Sequence, residues 1–209
     1  MSANNGNPNH RIVIFGATGR TGRLAVAQAV REGHEVVAFT RGTRPPDSAS
    51  AVVTGDPRDH RAVCEALEGA DAVISTLPGG NRRDPHLAAE VTGTIVNAMT
   101  ELGVRRLVVT SAYPIVADRP KLPIALLRLL LATPYADVAA MERIVSSSDL
   151  DWTIVRLNRL TDGPATGDLQ VSCGLLARPR SLSRADAAAL LVRTARDPAL
   201  IRTAVNVGG

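Results

Sequence analysis

Apolar residues along the 209-residue chain keep two rhythms that alternate from one end to the other. Short, nearly unbroken apolar runs at 12–15 (IVIF), 34–40 (HEVVAFT), 51–54 (AVVT), 71–76 (DAVIST), 104–110 (VRRLVVT) and 152–156 (WTIVR) predict strands, the first of them buried. Between them, residues 23–32, 57–67, 85–102, 137–146 and 184–196 predict helices. The third helix is the clearest, with Leu87, Val91, Ile95, Ala98 and Leu102 on one face. Gly69 and Gly103 are expected to stop helices. Asp56 or Asp59 is expected near the start of the second helix. Ser183 reads as an N-cap, with Asp186 in the first turn where the helix dipole favours a carboxylate. Residues 169–172 predict a short extra strand and 205–207 a closing one.

Strand and helix alternation means right-handed crossovers and a parallel sheet covered on both faces. The expected fold is α/β, a doubly wound parallel sheet of the Rossmann kind. It occupies one domain over 11–209, with a small C-terminal substrate-binding portion and strand order 3-2-1-4-5-6. Ligands are then expected beyond the carboxyl ends of the strands, between strands one and four. Residues 1–10 are polar and Asn-rich and predict a disordered tail without the apolar core of a signal peptide.

Composition narrows the function classes. An apolar fraction of 45% and a charged fraction of 21% suit a soluble globular protein. The net charge is +4, and Lys121 is the only lysine. The arginines are dispersed and only 2% of residues are aromatic, so nothing resembles a platform for nucleic acid. Residues 122–132 are too short to span a membrane, and Arg128 interrupts them. Cys64 and Cys173 have no metal or redox spacing and are expected as buried or half-buried thiols in a reducing cytoplasm. His10, His34, His60 and His86 are scattered, so no metal cluster is expected.

The candidate chemistry starts where the first strand ends. Gly16-Ala-Thr-Gly19-Arg-Thr-Gly22 lies between a predicted strand and a predicted helix, the context that makes a glycine-rich turn a phosphate cradle. Gly16 permits the turn, Gly19 admits a pyrophosphate, and Gly22 lets helix and strand approach. The helix N-terminus then faces the anion. After the second strand, Thr40-Arg41-Gly42-Thr43-Arg44 carries no acid for a free ribose 2′-hydroxyl. Arg41 first, and Arg44 second, suit a 2′-phosphate, so the expected cofactor is NADP(H) rather than NAD(H).

GATGRTG, the arginine after strand two, Gly55-Asp56, Thr110-Ser111-Ala112, DWTIVR and SRAD at 183–186 together resemble the atypical short-chain dehydrogenase/reductases. The resemblance runs from 11 to 207 and is nearest to the NmrA-like NAD(P)H-binding branch that includes biliverdin reductase B. It implies a phosphate loop of Gly16, Thr18, Gly19, Arg20, Thr21 and Gly22, and a 2′-phosphate ligand in Arg41. It implies that Asp56 lies near the adenine and that Thr76, Leu77 and Pro78 pass beneath the cofactor. Ser111 and Ala112 would stand beside the nicotinamide. Leu157 and Asn158 would line its pocket, where biliverdin reductase B has prolines.

The Tyr-x-x-x-Lys proton donor of better-known relatives is missing. Ala117 and Ala139 stand where the lysine would follow Tyr113 and Tyr135, and Lys121 lies beyond Pro114 and Pro120. A reductase on this chain would use Ser111, Tyr113 or water, or need no acid. Quinones, flavins and conjugated ketones tolerate that, because their reduced forms are delocalised. Ser111 is expected to hydrogen-bond the substrate carbonyl, or else to satisfy backbone at the strand end. Tyr113 is expected as donor or pocket wall, and Glu142 as a structural or surface residue. Residues 113–134 are apolar and Pro-broken. Some of Ile124, Leu126, Leu127, Leu129, Leu130 and Leu131 are expected to line a pocket for a bulky apolar or aromatic ligand, or to form a homodimer contact, or to pack in the core. Two alternatives stay open: an NADP-binding redox sensor without turnover, and a non-redox isomerase or dehydratase.

Overall fold

The computed structural model describes residues 9–42, 46–117, 126 and 129–209. Arg44, Lys121, Ile124, Leu127 and most of the expected tail lie outside the described residues. Asn9 and His10 are described, and both accept the N–H of Glu35.

The apolar runs become β1 (Arg11–Phe15), β2 (Glu35–Thr40), β3 (Ala51–Thr54), β4 (Ala72–Ser75), β5 (Arg106–Ala112) and β6 (Asp151–Leu157). They stand in one sheet in the order β3-β2-β1-β4-β5-β6, as the alternation predicts. Two strands extend it: β10 (Thr203–Gly208), parallel to β6, and the antiparallel edge strand β8 (Gln170–Ser172). A second, two-stranded sheet pairs β7 (Leu160–Thr161) with β9 (Leu182–Ser183). Both strands are too short to leave a periodic signal in the sequence.

The helices are α1 (Arg20–Arg31), α2 (His60–Leu67), α3 (Leu87–Leu102), α4 (Ala132–Ser146) and α5 (Arg184–Thr194). Alternate side chains of β1, β2, β4, β5 and β6 enter opposite cores, while the edge strand β3 is largely exposed. Ile12, Ile14, Val36 and Ile74 pack under α1 and α5. Val13, Phe15, Val37 and Val73 pack under α2, α3 and α4. Burial on both faces explains why these strands read as continuous apolar runs. Gly103 ends α3 with φ +70°, a conformation glycine adopts without penalty. Asp59 rather than Asp56 caps α2, its side chain accepting the Arg61 N–H. Helix α4 starts at Ala132 instead of 137, because Pro134 falls in the first turn, where a missing N–H costs nothing.

Two buried carboxylates set the helices that frame the cleft. Asp137 on α4 is 2% exposed and accepts N–H bonds from Gly80, Ala88 and Ala89 at 2.7, 2.7 and 3.0 Å. It thus caps α3, whose own N-cap His86 makes no side-chain bond, and fixes the loop after β4. Asp186 sits in the first turn of α5. Ser183 Oγ accepts the Asp186 N–H and donates to Asp186 Oδ2, while Asp186 also takes the N–H groups of Thr166 and Gly167. Burial alone would push the Asp186 carboxyl up, but these bonds outweigh it and leave it below the usual carboxylate range.

A depressed folded value has a defined sign. The Asp186 contribution is complete above the ordinary aspartate value near pH ~4 and is lost as pH falls through the lowered value. Asp186→Ala should cost about 1–2 kcal/mol at neutral pH. Urea melts of the two proteins should converge below about pH 3; a gap unchanged at low pH would mean that the carboxylate charge carries none of it.

Candidate active site

The turn from β1 into α1 is built by close contact. Gly16 has φ +75°, and its carbonyl accepts the Gly19 N–H at 2.9 Å. A Cβ on Gly22 would stand 2.1 Å from that carbonyl oxygen, and one on Gly16 would stand 2.7 Å from Thr76 Oγ1. The Thr76 hydroxyl hydrogen-bonds the carbonyls of Phe15 and Gly16 at 3.1 and 3.3 Å, pinning the turn to the end of β4. The N-cap of α1 is Gly19, which offers no side-chain partner to the first turn. Those N–H groups and the helix dipole face outward past the sheet, a geometry suited to an anion.

Two recesses open on either side of this turn, beyond the carboxyl ends of β1, β4, β5 and β6. The smaller, about 230 Å³, is lined by Gly16, Thr18, Phe39, Arg41, Pro57 and Leu87 among others. The larger, about 670 Å³, takes in Arg20, Thr21 and Gly22 on one side and Ser111, Ala112, Leu157 and Asn158 on the other. Gly19, Thr76, Leu77 and Pro78 border both. A nucleoside end and a reactive end on either side of one phosphate turn fit a dinucleotide. The glycine cradle, which a Cβ would fill, leaves room for its phosphates.

Three expected residues already have partners within the chain. Asp56 is exposed and accepts the Arg58 N–H, and its neighbour Pro57 lines the recess instead. Tyr113 is 4% exposed, packs with Ala117 and Leu176, and accepts the Leu176 N–H on its hydroxyl at 3.0 Å. The cavity wall near it is made by Pro114, Tyr135 and Val138. Asn158 borders the cavity, but its Nδ2 donates to the Arg180 carbonyl at 3.0 Å, tying the C-terminal loop to β6. Of the described flap leucines, Leu126, Leu129, Leu130 and Leu131 are exposed, and none borders either recess.

Ser111 stands at the cavity wall with its hydroxyl already engaged. Its Oγ donates to Glu142 Oε1 at 2.5 Å. Arg156 grips the same carboxylate from Nε and Nη2 at 2.9 and 2.6 Å, and this raises the guanidinium above its usual value. Register explains the cluster: Ser111 and Arg156 are direct partners across β5 and β6, and α4 lays Glu142 over the pair. Glu142 is therefore 9% exposed, which removes the surface reading. A serine has one proton. With that proton on Glu142, Ser111 offers the cavity lone pairs only.

A second charged group sits at the mouth. Asp162 bridges Arg20 of the phosphate turn and Arg184 of α5, the latter at 2.6 Å, and both arginines line the larger cavity. The sequence reading of Glu142 as structural holds, whereas it assigns Arg156, Asp162 and Arg184 no place at the cleft. The one available signal was an arginine closing an otherwise apolar strand, at Arg156. Outside the cleft, Cys173 is exposed rather than buried. Against the expectation of scattered histidines, His60 comes together with Cys64 and Glu101.

The comparisons follow this geometry. The chain is 31% identical over 177 residues to a 3-diazoavenalumate denitrifying reductase of Streptomyces, covering 75% of this chain and 58% of that protein. It is 37% identical over 105 residues to an uncharacterized protein of Mycobacterium tuberculosis, covering 49% of this chain and 12% of the other. The chain thus spans less than two thirds of the length of these curated relatives. Among solved structures, a short-chain dehydrogenase/reductase from Veillonella parvula in complex with NADP superposes with TM-score 0.81 at 19% identity, over 97% of this chain and 95% of that one. ChuY, an anaerobillin reductase from Escherichia coli O157:H7, gives 0.76 at 23%, over 95% and 96%. No helix among the described residues is long and apolar enough to cross a membrane. A family model described as NAD(P)H-binding matches residues 16–198, and the chain belongs to that family.

Proposed function

We propose that this chain is an NADPH-dependent reductase whose acceptor is bulky and apolar or aromatic: a quinone, a flavin or a polycyclic ketone. The observation that carries the reading is the committed proton of Ser111, together with the inward-turned hydroxyl of Tyr113. NADPH supplies a hydride when bound. The described residues around the cavity do not reproduce a tyrosine–lysine acid, so the acceptors served best hold negative charge by delocalisation and take their proton from water. Leu77, Pro78, Val138, Leu157 and Leu160 give the cavity an apolar lining for such a ring system. The reductase names of the Streptomyces relative and of ChuY support the reaction class.

Under this reading each residue has a task. Gly16, Thr18, Gly19, Arg20, Thr21 and Gly22 receive the phosphates, and Arg41 receives the 2′-phosphate at the exposed end of β2. Thr76, Leu77 and Pro78 form the floor, while Ala112, Leu157 and Asn158 border the nicotinamide side. Ser111 accepts a hydrogen bond from a donor on coenzyme or substrate. Glu142 and Arg156 are positioning residues that hold its lone pairs toward the cavity.

Oxidation of NADPH against a panel of quinones and flavins tests the reaction. Saturable NADPH binding with no turnover on any acceptor would overturn it in favour of a sensor or a non-redox enzyme. Arg41→Glu should reduce the preference for NADPH over NADH by about 10- to 100-fold, the size of one charged hydrogen bond. Ser111→Ala should lower kcat by less than about tenfold. A loss of about 10²–10⁴ would make Ser111 the proton donor and refute the acceptor role. Arg156→Met leaves a carboxylate facing only a serine and should cost about 2–3 kcal/mol in urea unfolding. That is less than for a deeply buried pair, because the guanidinium side chain keeps 19% of its exposure.

A further inference from the structure

We propose that His60, Cys64 and Glu101 form a binding site for a zinc-class divalent cation on the α2–α3 pair, apart from the coenzyme cleft. His60 and Cys64 stand four positions apart on α2, which places them on one helix face. Glu101 reaches them from the last turn of α3. His60 Nε2 lies 3.3 Å from Glu101 Oε2 and 3.9 Å from Cys64 Sγ, and the three donor atoms all lie within 4.8 Å of one another. Tetrahedral zinc bonds of about 2.0–2.3 Å hold neighbouring donors roughly 3.3–3.7 Å apart, so small side-chain shifts complete the set.

The donor chemistry is selective. An imidazole nitrogen and a sulfur favour zinc, cobalt or copper over magnesium and calcium, which prefer oxygen alone. A thiolate and a carboxylate together neutralise a dication. Without metal, burial pushes the Cys64 thiol up, and the charges of Glu101 and Glu68 push it further. A cation reverses that balance: the sulfur–metal bond forms as the thiol proton leaves to water. The His60 and Glu101 side chains keep 46% and 63% of their exposure, so a hydrated ion has a way in, and the fourth coordination position stays with water.

Cobalt is the probe. The full chain, free of affinity tag and stripped of metal, is titrated with Co²⁺ and then with Zn²⁺. The expected result is one equivalent of Co²⁺ giving tetrahedral d–d absorption with a thiolate charge-transfer band, both erased by Zn²⁺. Cys64→Ser should abolish the charge-transfer band, and Glu101→Gln should weaken Co²⁺ binding at least tenfold. Cys173→Ser should leave both unchanged. Metal-free melting curves matching the parent show that each variant folds. Absence of the charge-transfer band, or its survival in Cys64→Ser, would overturn the site. Neither result depends on NADPH or on turnover.

Discussion

The contact between Gly22 and the Gly16 carbonyl governs the rest of the molecule. No side chain larger than hydrogen fits there, since a Cβ would sit 2.1 Å from oxygen. A glycine inside a helix costs about 1 kcal/mol relative to alanine, and this helix tolerates it at Gly22. The return is an α1 pressed onto β1, with its amino end aimed past the edge of the sheet. Thr76 completes the arrangement by bonding the same turn from β4, so two adjacent strands end at one fixed point. The recesses on either side, and the order in which a nucleotide would meet them, follow from that point.

Several arginines in this protein serve as internal architecture. Arg106 is half-buried, and it donates to the Asp151 and Thr194 carbonyls and the Thr153 hydroxyl, joining β5 and β6 to the end of α5. Burial lowers its usual value while Asp151 and Asp197 oppose the shift. Arg156 is consumed by Glu142, and Arg58 by Asp84 and Glu90. These arginines therefore act inside the fold, holding strands and helices together, while the formal +4 resides on others.

Much of the fold is legible in the sequence because a buried parallel sheet writes each strand as an apolar run and each crossover as an amphipathic helix. The phosphate turn is equally legible, since its chemistry is carried by glycines that fall within seven residues of the chain, Gly16 to Gly22. What escapes is chemistry assembled across the fold. Glu142 and Ser111 lie on a helix and a strand with no local relation, and only the β5–β6 register sets Arg156 beside Ser111. Asp162 meets Arg20 from the far end of the chain. Asp137 caps a helix to which it does not belong. The short strands β7 and β9 escape for a different reason, because two residues carry no period.

That trans cap has a mechanical corollary. One carboxylate on α4 holds both the start of α3 and the loop that floors the cleft. The three pieces meet at that one carboxylate, so a tilt of α4 pulls on the loop after β4 and on the start of α3 together. A change in the angle of α4 would thereby reach the loop after β4, which borders both recesses.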